Sequence, residues 1–327
     1  MIFVNFLILI AGFAALVKGA DIFVSGSSSL ARNFHVPSLI IGLTIVALGT
    51  SAPELAVSTS AAFQGSNEIA LSNVIGSNIF NLLCVLGICA IISPLAVDKG
   101  VLIRDFPLCL VTTALLPLLA CGPVLFGGNL MSYGVAQEAG TITRPIGLIF
   151  ILIFVLYIGV LIYITKKQNS APEEDEGEKV PVWKCALFII VGLALIIAGG
   201  EAVVYSAKEI ARAAGMTETL IGLTIVAVGT SLPELVTSIV AARKGETGLA
   251  IGNAIGSNLF NLLLILGVSA LVHPISVNIA SVYDMLILLG ISTVAFIFSL
   301  SGKRIARLEG ILMVALYVGD VCFAIFR

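Results

Sequence analysis

The six residues Gly49-Thr50-Ser51-Ala52-Pro53-Glu54 recur as Gly229-Thr230-Ser231-Leu232-Pro233-Glu234, 180 positions further along the chain. The register holds without a gap through Gly42/Gly222, Thr44/Thr224, Gly65/Gly245, Gly76/Gly256, Ser77/Ser257, Asn81/Asn261 and Gly87/Gly267. Each copy puts a carboxylate, two hydroxyls and a proline inside a run otherwise apolar enough for lipid. A polar, proline-broken segment in matching positions of two hydrophobic halves points to a transporter binding site at a repeat interface.

With 59% hydrophobic and 11% charged residues, the chain reads as a polytopic membrane protein. Apolar windows of the length a bilayer demands fall near 3–30, 37–62, 69–92, 102–120 and 146–165. The second half repeats them near 183–211, 217–241, 249–272, 282–300 and 308–326. The expected fold is therefore an all-α membrane protein of ten transmembrane helices in two five-helix repeats. Its parts are a first repeat over 1–165, an acidic linker over 166–182 and a second repeat over 183–327. The first helix is expected to be retained as part of the repeat rather than cleaved as a leader, because no basic segment precedes it and Phe6 to Gly19 matches Ala186 to Gly199, with Asp21 matching Glu201.

Five helices per repeat force the two halves into opposite orientations, and loop charge sets the direction. With the N-terminus outside, Arg32, Lys99, Arg104, Lys166, Lys167, Lys179, Lys184, Arg243, Lys244, Lys303, Arg304 and Arg307 collect inside. Only Arg144, Lys208, Arg212 and Arg327 stay outside. The expectation is an integral protein of the cell membrane with both termini outside and the linker in the cytoplasm. The run Glu173-Glu174-Asp175-Glu176 lacks the alternating ligands and glycine of an EF-hand and reads as a solvated loop. The cations form no basic stripe, which excludes nucleic acid as a partner. The six cysteines lack CxxC spacing and read as small buried hydrophobes. About 17 extra residues precede the fifth helix, within Gly122 to Thr143, and are expected to form a surface insertion.

A carboxylate at mid-membrane must face a cavity, a partner or a cation. Pro53 and Pro233 each remove an amide donor, which is expected to free carbonyls near Ala47/Thr50 and Ala227/Thr230. Carbonyl, hydroxyl and carboxylate oxygens are hard ligands of the kind Na⁺ and Ca²⁺ take. Ser77 and Asn81 stand four apart and share a helix face, as do Ser257 and Asn261. Four helix segments can thus offer oxygens to one cluster. Any one Ser, Thr or Asn here reads as a packing residue; the duplicated Glu54 and Glu234 do not. Lys18, Asp21, Glu201 and Lys208 read as snorkelling or structurally paired charges.

The paired motifs GTSxPE and GSNxFN resemble the alpha repeats of the sodium/calcium exchangers, within the calcium/cation antiporter superfamily, and the resemblance covers essentially the whole chain. It implies an alternating-access antiporter in which helices one and six slide against a core of helices two, three, seven and eight. By position it implies cation ligation by Ala47, Thr50, Ser51, Glu54, Ser77 and Asn81, with Ala227, Thr230, Ser231, Glu234, Ser257 and Asn261 from the second half. The expected partners are calcium and sodium ions and the lipid bilayer, with no resident cofactor and no obligate protein partner. Relatives often place Asp where Asn261 stands, so this chain offers two central carboxylates and no third acid for potassium or a proton. A proton/cation antiporter of the same superfamily is the nearest alternative, followed by a passive cation channel. An intramembrane hydrolase is disfavoured, because no histidine lies within an apolar window.

Overall fold

The computed structural model describes residues 2–65, 67–127, 134, 136–168, 180–216 and 227–326. Its helices are α1 (Ile2–Asn33), α2 (Ser38–Thr50), α3 (Ala52–Phe63), α4 (Glu68–Ile92), α5 (Val101–Gly127) and α6 (Arg144–Gln168). In the second half they are α7 (Val182–Ala213), α8 (Leu232–Arg243), α9 (Thr247–Val272), α10 (Ile279–Leu300) and α11 (Arg307–Phe326). A helical turn, Ala227–Gly229, precedes α8. Among the described residues seven helices are long and apolar enough to cross a membrane, namely α1, α4, α5, α6, α7, α9 and α10. The bent pair α2–α3 makes an eighth span if counted as one.

Burial sorts these helices into layers. In the most apolar windows of α4 and α9, 78% of residues are buried, against 22–39% in α1, α5, α6, α7 and α10. The two helices that carry Ser77/Asn81 and Ser257/Asn261 therefore form the centre, and the others present apolar faces outward, as lipid-exposed helices do.

Glycines set the closest helix approaches, because a side chain there would collide with a neighbouring backbone. A Cβ built on Gly19 would lie 2.9 Å from the Gly192 carbonyl oxygen, and one on Gly12 would lie 3.1 Å from that of Gly199. Since residue 12 meets 199 and residue 19 meets 192, α1 and α7 run antiparallel along their length. A second reciprocal pair joins the core to its flanks, with Gly87 of α4 against Gly310 of α11 and Gly267 of α9 against Gly147 of α6.

The connections cluster at two ends. Strand β1 (Leu95–Ala96) pairs antiparallel with β4 (Arg304–Ile305), and β2 (Glu138–Ile142) pairs antiparallel with β3 (Ile275–Asn278). At the β1/β4 end, Arg32 approaches Glu246 at 3.7 Å and Asn33 Nδ2 donates to the Val180 carbonyl. Described parts of the expected insertion belong to regular elements: α5 continues to Gly127 through a kink at Cys121 (φ −132°, ψ 17°), and Glu138–Ile142 pairs with β3. Residues 128–133 and 135 of that insertion, 169–179 of the acidic linker over 166–182, and 217–226 of the expected span near 217–241, with Gly222 and Thr224 of the repeat, lie outside the described residues. Five cysteines are buried and Cys322 is exposed, so the expectation of buried thiols fails for that one.

Candidate cation site

Proline dictates where the second span breaks. Pro53 and Pro233 sit in the first turns of α3 and α8, where a missing amide costs least. The preceding Ser51 (φ −83°, ψ 8°) and Ser231 (φ −94°, ψ 6°) leave helical geometry. Between α2 and α3 the axis bends by 48°. The expectation that the break frees the Ala47 carbonyl needs correction, because that oxygen accepts the Ser51 N–H at 3.0 Å. The donor that Pro53 lacks would have served residue 49, four positions back, rather than residue 47. In the second copy the Ser231 N–H turns instead to the Val228 carbonyl, at 3.2 Å.

The break delivers Glu54 and Glu234 into the centre, where each is 1% exposed. Each carboxylate is held from the opposite half. Ser231 Oγ donates to Glu54 Oε1 at 2.9 Å, and Ser51 Oγ donates to Glu234 Oε1 at 2.9 Å. Each also receives a longer bond from its own half, from Ser77 at 3.5 Å and from Ser257 at 3.4 Å. Ser231 Oγ lies 3.0 Å from Ser77 Oγ, so the two hydroxyls and Glu54 form one network. Thr50 Oγ1 donates to Asn253 Oδ1 at 3.0 Å.

Four asparagines and two serines that the sequence reading did not single out as ligands hold this arrangement in place. Asn73 Nδ2 donates to Ser58 Oγ at 2.9 Å and to the Glu54 carbonyl at 3.4 Å; Asn253 repeats both bonds with Ser238 and Glu234, at 2.9 and 3.3 Å. Asn78 and Asn258 exchange bonds across the halves, each Nδ2 donating to the other's backbone carbonyl at 3.3 Å. The signal was present, since all three pairs (58/238, 73/253, 78/258) fall at the 180-residue repeat. Asn81 and Asn261 lie in wider π-helical turns, Asn81–Val85 and Phe260–Ile265. Such bulges recur at functional sites because they re-aim side chains.

The remaining polar atoms decide what the site can do. Glu54 Oε2, Glu234 Oε2, Asn81 Oδ1, Asn261 Oδ1 and Thr230 Oγ1 are buried and have no hydrogen-bond partner among the described residues. Buried acceptors are ordinarily paired, and an ionised carboxylate accepts only. A centre with surplus oxygens and two acids is therefore complementary to cations. No cluster of three or more His, Cys, Asp or Glu exists among the described residues. Of the twelve expected residues, Glu54, Ser231 and Ser77 share one hydrogen-bonded network, and Glu234, Ser51, Ser257 and, through Asn253, Thr50 share a second. Asn261 Nδ2 donates to Asn78 Oδ1 at 2.9 Å in a third, with Asn258. Ala47 is buried at the bend, Asn81 and Thr230 contribute unpaired atoms, and Ala227 enters only through its backbone turn.

Comparison with known proteins agrees with this geometry. A family profile described as sodium/calcium exchanger protein matches residues 4–163 and 184–326. The chain is 39% identical over 323 residues to the putative antiporter CaxA of Alkalimonas amylolytica, covering 95% of each chain. It is 35% identical over 348 residues to the sodium/calcium exchanger MaX1 of Methanosarcina acetivorans, covering 97% of each. Its fold matches the solved sodium-calcium exchanger NCX_Mj soaked with 10 mM Na⁺ and zero Ca²⁺, with a TM-score of 0.82, 31% identity and coverage of 98% of this chain and 99% of that one. With matches that span both halves and meet the duplicated buried glutamates, this transmembrane chain belongs to the sodium/calcium exchanger protein family.

Proposed function

We propose that the protein is a secondary antiporter that exchanges sodium for calcium by alternating access, without potassium and without a resident cofactor. The observation that carries this reading is the pair of buried carboxylate oxygens, Glu54 Oε2 and Glu234 Oε2, left without donors, as are the side-chain oxygens of Asn81, Asn261 and Thr230. The twelve residues from Ala47 to Asn261 named above are its ligand set, with Ala47 using the second lone pair of a carbonyl that already accepts the Ser51 N–H. Calcium would bind between the two glutamates, with serine and threonine hydroxyls completing an oxygen shell.

The architecture we infer is ten transmembrane helices in two inverted five-helix repeats. It is supported by the antiparallel contact of α1 with α7 and by the reciprocal glycine contacts of Gly87/Gly310 and Gly267/Gly147. Repeats of this kind exchange roles as the site is exposed to one side and then the other. The coupling ion is tested by calcium uptake into sodium-loaded proteoliposomes with sodium, potassium and proton gradients varied independently. Uptake should follow the sodium gradient, persist without potassium and ignore an imposed pH gradient. Uptake that tracks pH instead assigns a proton antiporter, and an absolute potassium requirement overturns the role given to the amides of Asn81 and Asn261.

We further infer that both termini lie outside a cell membrane, since twelve of the cationic residues fall on the linker side. In a Cys322→Ser background, a single cysteine introduced between residues 168 and 180 should resist impermeant thiol reagents in sealed cells and react after permeabilisation. Labelling in sealed cells would reverse the orientation.

A further inference from the structure

Outside the central site, α1 and α8 enclose a groove of about 410 Å³ at the end of the molecule that carries the β1/β4 pair. Its wall is apolar, formed by Ala14, Val17 and Val240, and its mouth carries Lys18, Asp21, Arg243 and Lys244. Lys244 Nζ lies 2.6 Å from Asp21 Oδ1 and 2.7 Å from Ser25 Oγ, while Lys18 Nζ lies 3.2 Å from Asp21 Oδ2. One carboxylate thus faces two ammonium groups, and Arg243 makes no ion pair among the described residues. The mouth has a surplus of positive charge.

The repeat supplies an internal control for what this charge is for. At the positions 180 residues away, Asp21 is matched by Glu201, but Lys18, Arg243 and Lys244 are matched by Ala198, Phe63 and Gln64. The other half folds with none of these cations, so neither the helix packing nor the duplicated cation site requires them. The groove also opens on the face of α1 that exposes Phe6, Ile10, Phe13 and Val17, the face a membrane would cover. Basic pockets between transmembrane helices at the level of the headgroups suit anionic lipids.

We propose that this groove binds an anionic phospholipid of the leaflet on the linker side, with Lys18 and Arg243 against its phosphate and an acyl chain along Ala14, Val17 and Val240. Native mass spectrometry of the full-length protein, titrated with phosphatidylglycerol, phosphatidylcholine or inorganic phosphate, tests it. Wild type should retain phosphatidylglycerol in preference to phosphatidylcholine. The double variant Lys18→Gln/Arg243→Gln keeps the Lys244–Asp21 bridge and should bind phosphatidylglycerol about 25-fold more weakly, at about 5-fold per cation, with phosphatidylcholine unaffected. Lys18→Arg should bind as wild type does, and Ala14→Phe, which fills the wall without altering charge, should also lose the lipid. These two variants decide the matter if the double variant does not fold. Equal retention of the two lipids by wild type, or undiminished retention in the double variant and Ala14→Phe, overturns the proposal. Inorganic phosphate displacing the lipid at equal concentration would assign the groove to a soluble anion instead.

Discussion

Glu54→Gln and Glu234→Gln are each expected to lower calcium exchange by at least about 100-fold while leaving the protein folded. In each case the amide keeps a carbonyl oxygen where Oε1 accepts from Ser231 or Ser51, so the bond between the halves survives. What disappears is one of two negative charges at a desolvated centre. Leaving a buried charge without its partner costs about 3 kcal/mol or more, and that is at least about two orders of magnitude in apparent affinity. Without calcium the variants should melt no earlier than wild type, because the mutation removes an unbalanced buried charge. With calcium the wild type should be stabilised, since an ion that binds only the native state raises its stability, and the variants should not be. Two readouts thus separate ligation from folding: exchange, and the calcium-dependent rise in melting temperature. Near-normal exchange, or calcium stabilisation intact in either variant, would remove the two glutamates from the binding role.

Much of this was legible before any coordinates because lipid imposes strict rules on a chain. Apolar stretches near 69–92 and 249–272 became α4 and α9 with boundaries shifted by a residue or two, since a bilayer leaves few choices of length and structure. The span near 37–62 was recognisable as one unit, and its break fell beside Pro53 for a local reason. The repeat itself located the central residues, because a polar motif duplicated in an apolar context has little other use. Contacts between the halves were not legible. That Ser231 holds Glu54 while Ser51 holds Glu234 depends on how α3 and α8 cross, which no local pattern encodes. The Ala47 carbonyl stays bonded because the donor that Pro53 lacks belongs to residue 49, two residues further on, while the Ser51 N–H still reaches Ala47. Asn78 and Asn258 sit inside the GSNxFN motif, between the serine and the final asparagine expected to ligate. Their reciprocal bonds to each other's backbone emerge only when both central helices are docked.

Calcium uptake driven by internal sodium should speed up when the vesicle interior is made positive. The argument is one of charge balance in a low-dielectric path. An empty site with two ionised glutamates is costly to carry through the membrane, so the step that changes access needs bound cations. One Ca²⁺ balances both carboxylates, and two Na⁺ do the same. The unpaired oxygens of Asn81, Asn261 and Thr230 then remain available, and neutral oxygens can hold a further Na⁺ without another acid. Three Na⁺ leaving for each Ca²⁺ entering move one net positive charge outward. One elementary charge crossing 100 mV is worth about 2.3 kcal/mol, so each 100 mV should change the calcium gradient that sodium can sustain by roughly 50-fold. Proteoliposomes clamped with a potassium ionophore at several potassium ratios provide the measurement. A steady-state calcium ratio that shifts with potential by that factor supports a third sodium at the amide oxygens. A ratio indifferent to potential fixes exchange at two Na⁺ per Ca²⁺, and Asn81 and Asn261 would then hold no ion beyond those that balance the glutamates.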